Sequence, residues 1–161
     1  MKKKSNLQKR KDDGNSIYWR KKADAIWASY VKEIYGNKCF ICGEPELLNA
    51  HHAFPREIKA YRWNVENSVA LCPYHHKYSL ELSAHRNPIS FFTHMAINAK
   101  EIMNTYMKID AVLNSEQDYE RLKDEFKDIT YKEIYESLLE FRDTKDFQEC
   151  KNKIKQYLIK E

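Results

Sequence analysis

Two short pairs of metal-binding residues constrain the fold of this chain more than any other feature. Cys39 and Cys42 form a C-x2-C pair that is followed directly by Gly43. Farther along, Cys72 and His75 form a C-x2-H pair. Two thiolates at that spacing can bind one zinc ion from a tight turn, and the second pair completes a Cys3His set, which is common in structural zinc sites. We therefore predict one tetrahedral, structural Zn²⁺ that joins the two segments.

Other interpretations of these residues are possible. Ordinary buried cysteines would leave the paired spacing unexplained, and close cysteines in a cytosolic chain indicate metal binding rather than disulfides. His76 directly follows His75 and could complete the zinc set in its place, but the C-x2-H spacing mirrors the C-x2-C pair and favours His75. Cys150 lies far beyond both pairs, and we expect it to be a free thiol without a role.

The composition indicates a helix-rich globular protein. The 161 residues suffice for one ordinary domain, 42% are hydrophobic and 32% are charged, and only three are glycine. No apolar run approaches the length of a membrane span, and the charged first residues are followed by no apolar signal segment. We expect a cytoplasmic protein that has no membrane partner.

Helical periodicity flanks the segment that carries the cysteines. Apolar residues at 17–35 recur in steps of three and four, which predicts an amphipathic helix that ends at Gly36. Asn87 and Pro88 have the residue types of an N-cap and a first helical position. The helix that they begin is expected to bury Phe92, Met95, Ala96, Ala99, Ile102, Met103 and Tyr106.

The segment 38–86 breaks this helical pattern. Apolar runs at 47–54 and 68–72 each predict a short strand, and Pro73 suits the first turn of a helix that reaches about Ser83. Two short antiparallel strands and a helix should therefore surround any site in this segment. The predicted fold class is α+β, mainly helical, with a hairpin-plus-helix core between N- and C-terminal helices.

The same patterns divide the chain into three parts. Residues 1–15 lack apolar periodicity and are expected to form a disordered basic arm. Residues 16–110 hold the cysteine segment with its flanking helices, and residues 111–161 form a C-terminal helical extension packed on or next to it. Two apolar stripes of the extension suit the core or a protein partner: Ile134, Leu138, Leu139 and Phe141, and Phe147, Cys150, Ile154 and Leu158.

A second set of residues lies between and beside the zinc pairs. His51 and His52 are adjacent in the first predicted strand, Asn67 shortly precedes Cys72, and His76 directly follows the C-x2-H pair. Adjacent side chains on a strand point to opposite sides, so the two neighbouring histidines cannot serve one partner in the same way. A neutral histidine is a suitable general base near pH 7, and imidazole is also a good metal ligand.

The order of these residues over 38–77 resembles the zinc-bearing branch of the HNH endonuclease family. The resemblance implies a ββα-metal fold and metal-dependent hydrolysis of DNA phosphodiester bonds that leaves a 3′-hydroxyl and a 5′-phosphate. It implies that His52 is the general base, that Asn67 orients it, and that His51 and His76 bind a catalytic divalent metal. The stretch 83–88, which contains His85, is similar to HNH proteins encoded by phages and prophages.

Two positions depart from the commoner pattern of that family. His51 stands where Asp is more frequent, and His75 stands where a fourth Cys is more frequent. Both substitutes still coordinate metals, but imidazole suits Mn²⁺, Ni²⁺, Co²⁺ or Zn²⁺ better than Mg²⁺. We therefore expect weaker support of activity by Mg²⁺ than in relatives that carry Asp.

Substrate contacts and the rival functions are less constrained. Arg56, Arg62 and Lys77 lie near the histidines in sequence and are candidate phosphate clamps, whereas Trp63 is expected in the core. DNA is the expected partner, although RNA is not excluded by these residues. The rivals are a Cys3His module that binds nucleic acid without cutting it and an interaction protein with a vestigial nuclease site.

The basic arm leads to the first testable prediction. The first 22 residues carry nine Lys or Arg against two Asp, and lysines that contact phosphates release counterions. Removing residues 1–11 should therefore flatten the salt dependence of DNA binding without changing the chemistry of cleavage. Affinity measured against salt concentration checks this, and an unchanged slope would show that the arm only aids solubility.

Overall fold

The computed structural model describes the backbone of residues 4–158, and this part of the chain is mainly helical with one small sheet. The two strands are β1 (Asn49–His52) and β2 (Ser68–Leu71). The α-helices are α1 (Asn6–Asp12), α2 (Ile17–Ile34), α3 (Lys59–Arg62), α4 (Pro88–Asn98), α5 (Lys100–Asn114), α6 (Glu116–Lys127), α7 (Tyr131–Phe141) and α8 (Lys145–Leu158). None of the helices described is long and apolar enough to cross a bilayer.

Helix α2 is central to the core. Its predicted apolar stripe is confirmed, and the helix gives way to a left-handed Gly36, with φ 63°. The Tyr30 hydroxyl donates to the carbonyl of Leu138 in α7 at 2.8 Å, and the Glu33 carboxylate pairs with Arg142 and Lys151. These contacts attach the end of the chain to α2.

The C-terminal helices belong to the same hydrophobic core as α2 and the sheet. Leu138, Phe147 and Ile154 are buried in one apolar cluster with residues of α2 and β2. The predicted extension therefore packs directly on the rest, and its predicted boundary at 110/111 falls inside α5. Both apolar stripes face this core, although Leu139 is 49% exposed and the side chain of Leu158 lies outside the described residues.

The predicted two-stranded antiparallel sheet is confirmed, with shorter strands than expected. His51 lies opposite Val69, and His52 lies opposite Ser68. Strand β2 is buried throughout, and the hydroxyls of Tyr35 and Tyr106 both donate to the Ser68 carbonyl, at 2.9 and 3.1 Å. The strand is thereby tied to α2 and α5 at the position that faces His52.

Two predicted helices differ in the structure. The helix expected from Pro73 to Ser83 is a single wide helical turn at Tyr74–Tyr78. The cap at Asn87 is confirmed, but the helix that it begins breaks at Ala99, where φ is −142° and ψ is 53°. Within that helix Phe91 is fully buried rather than Phe92, which is half-buried, and Ala96 is exposed.

The arm predicted to be disordered contains α1. The Ser5 hydroxyl caps the helix by accepting from the Gln8 amide at 3.1 Å, and the Trp19 indole donates to the Lys11 carbonyl at 3.1 Å. The Ser5 cap and the hydrogen bond from Trp19 stabilise this helix, and neither is visible in the spacing of apolar residues. The first three residues of the arm and residues 159–161 lie outside the described residues.

Phe147 tests whether the C-terminal helices are part of one cooperative core. Its ring is fully buried and packs against Tyr30 and Phe141 at centroid distances of 5.2 and 5.6 Å. Phe147→Ala should lower the free energy of unfolding of the whole chain by about 3–5 kcal/mol, because it leaves a cavity. In denaturant titrations the half-exposed Leu139→Ala is the control. A separate transition for α7 and α8 would contradict this prediction.

Candidate functional site

The four residues of the predicted zinc set lie together. Their ligand atoms are all within 4.8 Å of one another. The Cys42 and Cys72 sulfurs are 3.8 Å apart, and His75 Nδ1 lies 3.7 Å from the Cys39 sulfur and 3.4 Å from the Cys72 sulfur. Tetrahedral bonds of about 2.3 Å to sulfur and about 2.0–2.1 Å to nitrogen place ligand atoms roughly 3.5–3.8 Å apart. This Cys3His cluster therefore fits a metal ion such as zinc.

Backbone hydrogen bonds bring the two pairs together. Gly43, with φ 74°, allows a tight turn in which its amide donates to the Cys39 carbonyl at 2.8 Å. The Phe40 amide donates to the Ala70 carbonyl at 2.9 Å, which attaches this turn to β2. Because β2 leads directly to Cys72, the second pair emerges beside the first.

The thiols of this cluster are packed closely enough to affect one another. Burial, followed by the neighbouring Cys39 thiol and then that of Cys72, raises the pKa of Cys42 to about 12. Adjacent thiolates repel one another, and a bound divalent cation is what makes such a group of thiolates stable.

A second cluster joins His51 and His76 with His85, which the sequence analysis noted but did not include among the ligands. One ring nitrogen from each lies within 4.8 Å of the others, and the Nε2 atoms of His76 and His85 are 3.1 Å apart. Two nitrogens bound to one ion at about 2.0–2.1 Å lie roughly 3 Å apart. This three-histidine cluster fits a metal ion that keeps open coordination positions.

The loop after the zinc pairs places His85 beside His76. The His85 amide donates to the His76 carbonyl at 3.1 Å, and the buried Ser83 hydroxyl donates to the same carbonyl at 3.3 Å. The sequence signal for His85 was the stretch 83–88. Spacing from the zinc pairs could not identify it as a ligand, because these loop hydrogen bonds decide where it lies.

The environment of the three-histidine cluster favours neutral rings. Burial, followed by the neighbouring His76 and His85, lowers the pKa of His51 to about 3. Burial, followed by His85, lowers the pKa of His76 to about 4. Both rings are therefore uncharged at neutral pH, and each has a nitrogen lone pair that can bind a cation.

His52 points to the other side of β1 and is held by two contacts. Its ring stacks on Trp27 of α2, with centroids 4.0 Å apart and planes at 12°. Its Nε2 lies 2.8 Å from the Arg62 carbonyl oxygen, which can only accept, so Nε2 donates and the neutral ring carries its lone pair on Nδ1. Burial lowers the pKa of His52, although the hydrogen bond to that carbonyl opposes the shift.

The Nδ1 atom of His52 is accessible. No hydrogen bond to it occurs among the residues that the structure describes, and none of their buried side-chain nitrogens or oxygens lacks a partner. Nδ1 must therefore reach solvent. His51 and His52 both line one open cleft of about 630 Å³, the histidine cleft, which His76, His85, Arg56 and Lys77 also line.

Asn67 stabilises the connection between the strands. Its side chain is fully buried, its Oδ1 accepts from the Phe54 amide at 2.7 Å, and its Nδ2 donates to the Tyr61 carbonyl at 3.1 Å. These bonds attach Asn67, at the end of the connection, to Phe54 near its start and to Tyr61, which directly precedes Arg62. Asn67 thus holds the backbone just after His52 and the backbone just before Arg62, whose carbonyl accepts from the His52 ring.

The three predicted phosphate-binding side chains have different surroundings. The Arg62 guanidinium makes two hydrogen bonds to Asp24, at 2.9 and 2.8 Å, and a third to the Arg56 carbonyl at 3.0 Å. The positive charge of Arg62 is therefore paired with Asp24 within the protein. Arg56 and Lys77 are exposed at the histidine cleft. Trp63 is 7% exposed, which confirms its predicted place in the core.

Comparisons with protein-family models, with curated proteins and with solved structures find no match for this chain. The chemistry of the site is therefore inferred from the side chains described above. They offer one closed set of four ligands, one open set of three, and an oriented imidazole beside the open set.

The Cys3His cluster gives a prediction with a matched control. Cys39→Ser should remove the bound metal and the folded structure together, because the binding free energy of a structural metal is part of the folding free energy. Cys150→Ser makes the same chemical change outside both clusters, and it should keep the metal. Metal content and thermal unfolding measured on both variants check this. A Cys39→Ser protein that is folded and metal-loaded would contradict it.

Proposed function

We propose that this chain is a metal-dependent endonuclease of the HNH type. It hydrolyses phosphodiester bonds in DNA and leaves a 3′-hydroxyl and a 5′-phosphate. In this proposal β1, β2 and the helical turn at Tyr74–Tyr78 form the ββα-metal core, and the Cys3His cluster binds a structural Zn²⁺. The resemblance over 38–77 and the geometry of the two clusters support it.

One observation carries the proposal. The neutral His52 ring is fixed with its protonated nitrogen on a carbonyl and its lone pair on Nδ1, and His52 lines the same cleft as the three histidine ligands. A general base needs an oriented, accessible lone pair near pH 7. A zinc module that only grips nucleic acid needs no such group.

His52 carries the proton transfer in this mechanism. Nδ1 takes a proton from the water whose oxygen attacks the phosphorus atom, the bond from phosphorus to the 3′-oxygen breaks, and the leaving 3′-oxygen takes a proton from solvent. The resulting imidazolium is stabilised by the Arg62 carbonyl at Nε2 and by the face of the Trp27 ring. Arg56 and Lys77 are exposed to contact phosphate oxygens along the cleft.

The second metal would be held by His51, His76 and His85. A divalent ion there supplies positive charge for the phosphate and for the leaving 3′-oxygen. Three imidazoles favour Mn²⁺, Ni²⁺, Co²⁺ or Zn²⁺ over Mg²⁺, which prefers oxygen ligands. Asn67 supports the base indirectly, through the backbone at Phe54 and Tyr61.

Plasmid nicking in the presence of added metal separates the nuclease from its rivals. A supercoiled plasmid should be nicked by the zinc-loaded chain with Mn²⁺ or Ni²⁺. Without nicking, retention of labelled DNA would indicate the binding module. Neither nicking nor retention would indicate an interaction protein.

Replacing each of the neighbouring histidines should affect the cleavage rate in a different way. His52→Ala removes proton abstraction and should lower the cleavage rate by about 10²–10⁴, with no recovery in excess metal. His51→Ala and His85→Ala weaken the open metal site, so excess Mn²⁺ or Ni²⁺ should restore part of their activity. His51→Asp should shift the preference toward Mg²⁺, because a hard carboxylate replaces an imidazole.

The measurement is cleavage rate against metal concentration for the four variants, with His94→Ala as a control that lies in neither cluster. None of the four should lose the structural zinc. Rescue of the His52 variant but not of the His51 variant would reverse the two roles. Full activity in both His51→Ala and His52→Ala would refute the HNH mechanism.

A further inference from the structure

A second cleft adjoins the histidine cleft. This basic cleft, of about 410 Å³, lies where α2 and α3 approach the first residue of α7, Tyr131. Arg56 and Glu57 line both clefts, so the two are adjacent at that point. Its basic side chains are Arg20, Lys21, Arg56, Lys59 and Arg62, against the acidic Asp24 and Glu57.

Two of these five cations are already engaged. Arg62 is paired with Asp24, and the ammonium of Lys59 donates to the Ile129 carbonyl. Both interactions are made with other residues of the protein itself. The cations that are left to contact a ligand are Arg20, Lys21 and Arg56.

Those three side chains are weakly compensated. Arg56 contacts Glu57 at 3.7 Å with both side chains largely exposed, and such a pair contributes little. Arg20 and Lys21 form no ion pair with any residue that the structure describes. Both lie on α2, and Ala23 and Trp27, one and two turns later, are buried in the core, so the helix that carries these two cations is anchored there.

We propose that the basic cleft binds the sugar–phosphate backbone of the substrate strand on one side of the scissile bond. This proposal rests on the proposed nuclease function and extends its substrate site to α2, outside the segment 38–77. A strand whose phosphate lies at the three-histidine cluster presents further phosphates at regular spacing. Arg56 would contact the phosphate nearest the cluster, and Arg20 and Lys21 would contact the following ones.

The lining favours a phosphate backbone over a single small ligand. The basic cleft is open and polar, and it shares Arg56 and Glu57 with the histidine cleft instead of closing around one group. Successive cations along adjoining clefts match a polymer of repeated negative charge. An acidic polypeptide would satisfy the charge, but the shared residues favour a ligand that reaches both clefts.

Binding is the first test. The double variant Arg20→Gln/Lys21→Gln is compared with the parent, both in the zinc-loaded full chain carrying His52→Ala so that the DNA stays intact. Loss of two phosphate contacts should reduce the slope of log affinity against log salt by about 1.8 for duplex DNA or about 1.4 for a single strand. The control Lys100→Gln/Lys108→Gln removes two exposed charges from α5, outside both clefts, and should leave the slope unchanged.

Cleavage of two substrates is the second test. In the otherwise native chain, Arg20→Gln/Lys21→Gln should lower kcat/KM for an oligonucleotide by roughly tenfold or more at about 0.1 M salt. Hydrolysis of bis(p-nitrophenyl) phosphate, which is too short to reach α2, should be unchanged. Trimming the oligonucleotide on one side of the scissile bond should erase the defect, and trimming on the other side should not.

The outcomes distinguish this proposal from the one on which it rests. An unchanged salt slope together with unchanged oligonucleotide cleavage overturns the basic cleft and leaves the nuclease intact. Equal loss on both substrates also overturns it, because the substitution would then disturb the histidines. If the native chain cleaves neither substrate, the nuclease proposal fails, whatever the binding data show. Competition by polyglutamate as strong as that by DNA of equal charge would assign the cleft to acidic polypeptides instead.

Discussion

The close approach of Cys39, Cys42, Cys72 and His75 is the constraint on which the rest of the site depends. No residue from 40 to 62 is fully buried, although Phe40, Leu48 and Phe54 pack partly against the core. The cluster closes this stretch into a loop, and the binding free energy of an ion held there would offset the entropy cost of closing it. Strand β1 crosses this loop, and its pairing with β2 then sets the positions of both of its histidines.

Helix α2 contributes the second constraint from outside that segment. Trp27 stacks on His52, while Asp24, one turn earlier, holds Arg62, whose carbonyl accepts from the same ring. One face of the helix is buried in the core, and Trp27 and Asp24 of the same helix orient the candidate base. The candidate base is therefore positioned by packing that also stabilises the fold, so a change in that packing would alter both its orientation and the stability of the protein.

Local chemistry made several features predictable from sequence alone. The two pairs of metal-binding residues are local motifs, so the Cys3His cluster followed from spacing. Strand alternation is also local, and it separated the directions of His51 and His52 correctly. The cap at Asn87 and the left-handed Gly36 are single-residue signals of the same kind. In each case the deciding atoms lie within a few residues of one another.

What depends on distant residues was decided by tertiary structure. Loop hydrogen bonds place His85 in the three-histidine cluster. Arg62, predicted to bind phosphate, is instead paired with Asp24. The break at Ala99 and the meeting of the two clefts at Arg56 likewise have no local signature. The sequence by itself determined the four residues of the Cys3His cluster, helix α2 and the two antiparallel strands, because the signals for these features are local. Which nitrogens meet, which charges are neutralised and where a groove runs were decided only when separate helices packed together, because each requires atoms far apart in the chain.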